Sequence, residues 1–442
     1  MERREPVLEP GRSLALRARW IFPVIGPPQE LATLHIVDGH MAGISTGVEA
    51  QALDLGNMAL IPGLVNAHTH LELSDTVSPL APPQPFTTWL RAVLAHRRGR
   101  GHAATASARA IRLGWAECQN QGTTLTGDIV SASWSETDLP ESSLSVVAFL
   151  EILGLDANRI PDRLLQARQF LEGRGGADQS ARVVRGLSPH APYSVHPDLF
   201  DGLVSLAHEA DAPLAIHLAE THAELELLER GTGEFVEFLV ELGVWNESAI
   251  PRGTRPVDYL RRLATLDRAL VIHGNYLRDD DVDVLAGSPG VSVVYCPRTH
   301  AYFGHAEHPW RKLLARGVNV AVGTDSRASN PDLSVFEELK FLHQRYPDFP
   351  PQELLALGTV RGARGLGREE SAGSLAPGRP ANLAAVALPD GNFSDPHALL
   401  FHSESQMLGS VLGDPSIAKP FLSDSLMRLL SPLEAHSADD RT

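Results

Sequence analysis

Two histidines two residues apart, His68 and His70, leave the end of a strand-like run in Pro62-Gly-Leu-Val-Asn-Ala-His68-Thr-His70-Leu-Glu72. Side chains at i and i+2 of a strand point to one side, so both imidazoles can reach one metal ion. In a chain with 19 histidines a single His-x-His pair is weak evidence. Three later segments strengthen it, because each ends another strand-like run and supplies a ligand type still missing. Pro213-Leu-Ala-Ile-His217-Leu-Ala-Glu220 adds a third imidazole with a carboxylate three residues on. Leu270-Val-Ile-His273 adds a fourth imidazole, and Val320-Ala-Val-Gly-Thr-Asp325 a closing carboxylate. His68, His70, His217 and Asp325 thus make a shell for one divalent ion with a position left for water, and Glu220 and His273 stand beside it. A cation so held lowers the pKa of its water toward neutrality, which is the chemistry of hydrolysis. The donor set suits Zn2+, Fe2+ or Mn2+, with Zn2+ the default expectation.

These residues need a scaffold that brings distant strand ends together. From about Gly63 to Gly373 short β-rich runs alternate with longer helical ones, the pattern of repeated βα units. Strands are predicted at Leu64 to His68, Thr123 to Asp128, Ser145 to Leu150, Arg182 to Ser188, Pro213 to His217, Ala269 to His273, Val291 to Tyr295 and Asn319 to Gly323. Helical stretches are expected at Thr105 to Asn120, His222 to Leu242, Pro256 to Leu266, Pro331 to Gln344 and Pro351 to Arg361. The class is α/β, and eight such units over about 300 residues have the size of a (β/α)8 TIM barrel. His68, Asp128, His190, His217, His273 and Asp325 all fall at C-terminal strand ends, where barrel enzymes place their chemistry. Strand-like runs from Arg17 to about Ile44 and from Ala381 to Leu388 lie outside this region.

Composition narrows the partners. With 442 residues, 43% hydrophobic and 21% charged, the chain reads as a soluble globular protein large enough for two cores. No run approaches the ~18 to 20 apolar residues of a membrane span, so no membrane partner is expected. The start, Met1-Glu-Arg-Arg-Glu-Pro6, has no apolar run behind it, which points to the cytoplasm. Cys118 and Cys296 are the only cysteines and form no C-x-x-C pair, so any metal must be held by histidines and carboxylates. A net charge of -16 repels phosphate backbones and excludes nucleic acid as an expected partner.

Taken in order, P-G-L-V-N-A-H-T-H-L-E, S-P-H-A-P-Y-S, H-L-A-E-T, I-H-G, C-P-R, G-T-D-S-x-A-S-N and G-S-L-A-P-G-R-P resemble the amidohydrolase superfamily, in its cytosine deaminase and adenosine-derivative deaminase branch. The resemblance implies that residues 1–62 and 374–442 join into a small β-sandwich flanking a catalytic barrel at 63–373. It implies metal ligation by His68, His70, His217 and Asp325, and proton movement by Glu220 among water, ring nitrogen and leaving group. His273 would orient the water or the substrate. Hydroxide would attack a ring carbon bearing an amino group, Asp325 taking its proton, and ammonia would leave. The implied partner is a small heterocyclic substrate, an aminated purine or related nucleoside of the aminodeoxyfutalosine or adenosine type, and the implied assembly a homodimer. Leu71-Glu-Leu-Ser74 and Phe86-Thr-Thr-Trp-Leu90 are similar to aminodeoxyfutalosine deaminases, whereas Cys296-Pro-Arg-Thr-His-Ala-Tyr-Phe303 departs from them. Binuclear branches bridge two metals with a modified lysine at the end of strand four. Gly186-Leu-Ser-Pro-His190 stands there instead, and Lys312, Lys340 and Lys419 are the only lysines. One metal is therefore expected. The rival readings are hydrolysis of a cyclic amide, as in imidazolonepropionase, or of a triazine C–Cl bond at the same site, and a catalytically silent metal-binding scaffold.

Other positions carry paired readings. His190 matches a substrate-contacting position in the resemblance, or packs its loop. Trp89 lies over substrate or is a buried helix residue, and Ser329 and Asn330 touch substrate or cap the next helix. Glu72 and Arg298 reach the pocket or form ordinary ion pairs. His300, His305 and His308 are spaced by five and three, unlike a helical metal pair, and are expected to shape the pocket. His222 and Glu224 read as solvated residues or as helix-start residues.

Overall fold

The computed structural model describes residues 13–47, 49–100, 103–140, 144–173, 182–391 and 393–410. The charged start at Met1 to Pro6, and the part of the small domain expected beyond residue 410, lie outside the described residues.

Strands are numbered along the chain. The N-terminal segment gives β1 (Ser13–Ile21), β2 (Gln29–Val37), β3 (His40–Thr46), β4 (Leu53–Asp54) and β5 (Met58–Pro62). The chain then enters an eight-stranded set: β6 (Leu64–Thr69), β7 (Thr123–Val130), β8 (Ser145–Ile152), β9 (Val183–Pro189), β10 (Leu214–Leu218), β11 (Ala269–His273), β12 (Val291–Tyr295) and β13 (Asn319–Val322). It returns through β14 (Leu383–Ala387) and β15 (Gln406–Ser410). Strands β6 to β13 pair in sequence order and in parallel, with helices between them, the arrangement of a (β/α)8 barrel.

The two chain ends meet as expected, in one continuous seven-stranded sheet. Its order is β15-β14-β5-β1-β2-β3, with β4 beside β1, and β5 joins the halves, parallel to β1 and antiparallel to β14. Its apolar face holds Leu16, Ile21, Leu34, Ile36, Leu60 and Leu383.

Alternation along the barrel strands separates two cores. On β12, Val291 and Val293 pack outward against the helices and Val294 packs inward; on β13, Val320 and Val322 point out and Ala321 in. Val65, Phe149, Leu270 and Ile272 fill the interior, and Ala363 and Leu366 join the same cluster. The barrel is therefore a packed plug whose chemistry is confined to its rim.

Two helical expectations are revised. The stretch from His222 to Leu242 is two helices, His222–Arg230 and Glu234–Glu241. Gly231 ends the first at φ +69 in the left-handed region, and Gly233 follows at φ +97, so the break uses the residue that tolerates positive φ without steric cost. Similarly, the stretch from Pro351 is interrupted after Leu357 and resumes at Val360. Among the described residues no helix is long and apolar enough to cross a membrane.

Candidate active site

The seam where the first barrel strand meets the last also assembles the metal corner. The backbone N–H groups of Thr324 and Asp325 both donate to the His68 carbonyl at 3.1 Å, and the Thr69 hydroxyl donates to the Asp325 carbonyl at 3.0 Å. The approach is close enough to require Gly323, where an added Cβ would lie 2.9 Å from the backbone of His68. Beneath the seam, buried Asn66 donates to the Thr324 hydroxyl at 2.8 Å. Asp325 itself sits at φ +56, a left-handed conformation that Asp tolerates better than most residues.

The imidazole nitrogens of His68, His70 and His217 come within 4.8 Å of one another. Asp325 Oδ1 lies 3.5 Å from His68 Nε2 and 3.6 Å from His70 Nε2. His217 Nδ1 donates to the His190 carbonyl at 3.0 Å, which leaves Nε2 as its lone-pair nitrogen. Burial pushes the His217 and His70 pKa values well down, and neighbouring imidazoles push in the same direction, which favours the neutral rings that a metal would need. Burial alone would raise Asp325, but the His68 and His70 imidazoles, 3.5 and 3.6 Å from its Oδ1, hold it below the usual carboxylate range. His68 Nε2 is buried and has no hydrogen-bond partner among the described residues. An orphaned buried nitrogen is costly unless something satisfies it, and a divalent cation among three imidazoles and a carboxylate does so. The residues present thus fit the metal expected from the sequence.

Ser329, expected as a substrate contact or a cap, holds the carboxylate instead: its hydroxyl donates to Asp325 Oδ2 at 2.8 Å. Such outer contacts orient ligands, and losing one weakens metal binding about 10- to 100-fold. Ser329→Ala is therefore expected to weaken metal affinity to that extent in a chelator-competition titration. Wild-type affinity would show that Asp325 is fixed without it.

Beside the metal corner, Glu220 Oε1 lies 3.4 Å from His273 Nε2, and both side chains are buried. Burial raises Glu220 well above its ordinary value, with Asp325 and Glu224 adding to the shift. Burial lowers His273 to about 3, more strongly than Asp325 pulls it up. The pair is therefore a protonatable carboxyl against a neutral imidazole, as general acid–base work requires. The backbone around it is held in place. Ala219 and His273 lie at φ +53 and +67, strained values for non-glycine residues. Glu224 accepts from the N–H groups of Ala219 at 2.9 Å and Glu220 at 2.8 Å. Asn275 Nδ2 donates to the Glu220 carbonyl at 2.9 Å, and buried His308 Nε2 donates to the His273 carbonyl at 2.7 Å. Glu224 follows its helix-start alternative rather than the solvated one: it lies in the first turn of the helix, is fully buried and positions Glu220.

Residues 59–423 match the sequence profile of the Amidohydrolase family. This chain belongs to the amidohydrolase family. Among its relatives, the 5-methylthioadenosine/S-adenosylhomocysteine deaminase of Nitratidesulfovibrio vulgaris is 32% identical over 350 residues, 77% of this chain and 74% of that protein. The aminodeoxyfutalosine deaminase of Deinococcus radiodurans is 31% identical over 337 residues, 74% and 78% of the two chains. Helicobacter pylori aminofutalosine deaminase, solved in complex with methylthio-coformycin, superposes with a TM-score of 0.73 at 22% identity, over 90% of this chain and all of the other. The zinc complex of atrazine chlorohydrolase from Arthrobacter aurescens gives 0.72 at 19% identity, over 94% of this chain and all of the other. At these identities the two structures establish the fold. Members of the amidohydrolase family use a divalent metal, in keeping with the His68, His70 and His217 cluster.

The amidohydrolase rim opens into a cavity of about 390 Å³ lined by His70, His217, Glu220, His273 and Asp325 at one end and largely by apolar side chains elsewhere, including Leu73, Phe86, Leu90, Val93 and Leu239. His190 lines it, with Nδ1 2.7 Å from Ser194 Oγ. Trp89 unites its two readings: it lines the cavity from a helix, and its indole N–H donates to the Ala328 carbonyl at 3.1 Å. Arg298 follows its ion-pair alternative, whereas Glu72 forms no ion pair among the described residues and is held by hydrogen bonds. Glu72 accepts from the Ser131 hydroxyl at 2.7 Å and backbone N–H at 3.2 Å. Arg298 is held by Glu338 at 2.8 Å and Asp332 at 2.6 Å, and neither Glu72 nor Arg298 is among the described residues that line the cavity. Asn330 donates to the Thr324 carbonyl and Glu338, fixing the loop after Asp325. Lys312 pairs with Asp279 and Lys340 holds the Ser403 and Ser405 carbonyls, while Lys419 lies outside the described residues. Among the cavity residues that the sequence reading missed are Glu151, Arg97, Arg163 and Tyr193.

Proposed function

We propose that this amidohydrolase removes the amino group of an adenosine-type nucleoside by hydrolysis, releasing ammonia, with His68, His70, His217 and Asp325 holding a single Zn2+. The Glu220–His273 contact beside the three imidazoles, at the end of a mostly apolar cavity, carries this reading. The relatives named as adenosine-derivative deaminases support it. Zinc is the default for this donor set of imidazoles and a carboxylate, which would also suit Fe2+ or Mn2+, and Cys118 and Cys296 are buried and free.

The metal, when bound, supplies a water acidified enough to act as nucleophile near neutral pH. Apolar and aromatic side chains, Trp89, Phe86 and Tyr193 among them, exclude bulk water and accept the flat face of the base. Asp325 Oδ1 takes a proton from the attacking water as its oxygen bonds to the amino-bearing ring carbon. Glu220 Oε1 gives its proton to the adjacent ring nitrogen. His273, neutral and 3.4 Å from Glu220, holds that carboxyl in line. Glu220 then takes the proton of the new hydroxyl and passes it to the amino nitrogen, so that the C–N bond breaks, ammonia departs and a ring carbonyl remains, and the proton held by Asp325 returns to Glu220. A departing amine needs this proton, whereas chloride does not, which favours deamination over dechlorination.

Metal-loaded protein incubated with aminated purines, nucleosides, pterins and triazines is expected to release ammonia from the adenosine-type compounds first. Chloride release or ring opening without ammonia would replace the proposed reaction with another hydrolysis at the same site. Silence across the panel with metal bound would favour the scaffold reading.

A further inference from the structure

Resting on the deaminase reading above, the geometry points to Glu151 as the residue that recognises the sugar: we propose that its carboxylate accepts hydrogen bonds from the vicinal hydroxyls of a ribonucleoside. Glu151 lies in β8 between Leu150 and Ile152, both buried in the outer core, so strand alternation turns it to the opposite face, where it lines the cavity. Its side chain is only 10% exposed. Oε2 is 3.8 Å from Arg97 Nη1 and Oε1 is 3.9 Å from His190 Nε2. Both distances exceed hydrogen-bond reach, so among the described residues the carboxylate accepts no hydrogen bond. A nearly covered carboxylate without donors is unfavourable, and its oxygens are open only to what enters the cavity.

Position and chemistry select the ligand group. The other acids lining the cavity, Glu220 and Asp325, belong to the metal corner. The His190 ring lies 5.2 Å from the His217 ring, and Glu151 stands one side chain farther out, on the same cavity wall. A purine with its amino-bearing carbon at the metal corner extends its sugar in that outward direction. Leu153 and Leu155, which also line this part of the cavity, offer the base and any apolar substituent no hydrogen bonds. Two adjacent hydroxyls supply two donors to a two-oxygen acceptor, and Arg97 supplies the opposite charge at its rim.

The test compares metal-loaded wild type, Glu151→Gln and Glu151→Ala on adenosine, 2'-deoxyadenosine and 3'-deoxyadenosine, with melting temperatures to confirm folding. Wild type is expected to lose about 10- to 100-fold in kcat/KM when one hydroxyl is removed, chiefly through KM. Glu151→Ala is expected to lose a similar factor on adenosine and to be indifferent to the missing hydroxyls, with Glu151→Gln between them. If removing a hydroxyl costs the same in wild type and Glu151→Ala, the carboxylate does not touch the ribose and the proposal falls. It also falls if Glu151→Ala is impaired only on a nucleoside bearing an ammonium on its 5' substituent. Absence of ammonia from every aminated purine with wild type would overturn the deaminase reading instead. Calorimetric binding of the deaminated products inosine and 2',3'-dideoxyinosine to the same three proteins then decides the sugar contact independently: equal affinities in wild type would overturn it.

Discussion

Glu220→Gln protein is expected to keep its metal and its fold and to lose about 10²- to 10⁴-fold in kcat, the range that one positioned general acid–base group contributes. The substitution is nearly isosteric, and the backbone that aims the side chain does not depend on the carboxyl. Its N–H is held by Glu224 Oε2 at 2.8 Å and its carbonyl by Asn275 at 2.9 Å. What the amide cannot do is exchange a proton. The native carboxyl is suited to that task because burial, then Asp325 and Glu224, raise its pKa well above the ordinary range. Metal content by mass spectrometry and single-turnover ammonia release separate the two properties. A metal-replete variant with near-wild-type rates would remove Glu220 as the proton carrier.

Glu220 also illustrates what the sequence makes legible. Strand ends are readable because a barrel strand is a short apolar β-rich run followed by a polar residue, and β6, β10 and β11 lie within a residue or two of their predicted positions. Ligand type is readable because metal chemistry constrains it: with two cysteines and no C-x-x-C pair, histidines and carboxylates are what remain. Support residues are harder to read, since their role depends on contacts across the fold. Arg298 and Glu338 are 40 residues apart in sequence and meet as a part-buried pair, which no local pattern announces. Glu224 left a weak trace, because Thr221 and Glu224 have capping-box spacing and Thr221 does accept from the Glu224 N–H, at 3.1 Å. Nothing in that spacing says that the glutamate turns back to the N–H groups of Ala219 and Glu220. Glu151 left none: a glutamate in an apolar strand becomes informative only when the cavity beside it is known.

The largest combined effect is expected at Asp325, and two substitutions divide it. Asp325→Asn keeps the side-chain shape and a residue type that tolerates the left-handed conformation at φ +56, so its fold should survive. It removes the negative charge 3.5 and 3.6 Å from His68 and His70 and leaves a weaker oxygen donor, so metal affinity and turnover should both fall by orders of magnitude. Asp325→Ala removes the ligand and the acceptor of the Ser329 hydroxyl, and it places alanine in the left-handed region at a cost of roughly 1–2 kcal/mol. Its melting temperature should therefore fall below that of Asp325→Asn when both are compared without metal, and chelation should destabilise wild type far more than either variant. Wild-type metal content and wild-type turnover in both proteins would contradict a site closed by this carboxylate. Full metal content with lost turnover would instead assign the metal to His68, His70 and His217, and confine Asp325 to taking the proton of the attacking water.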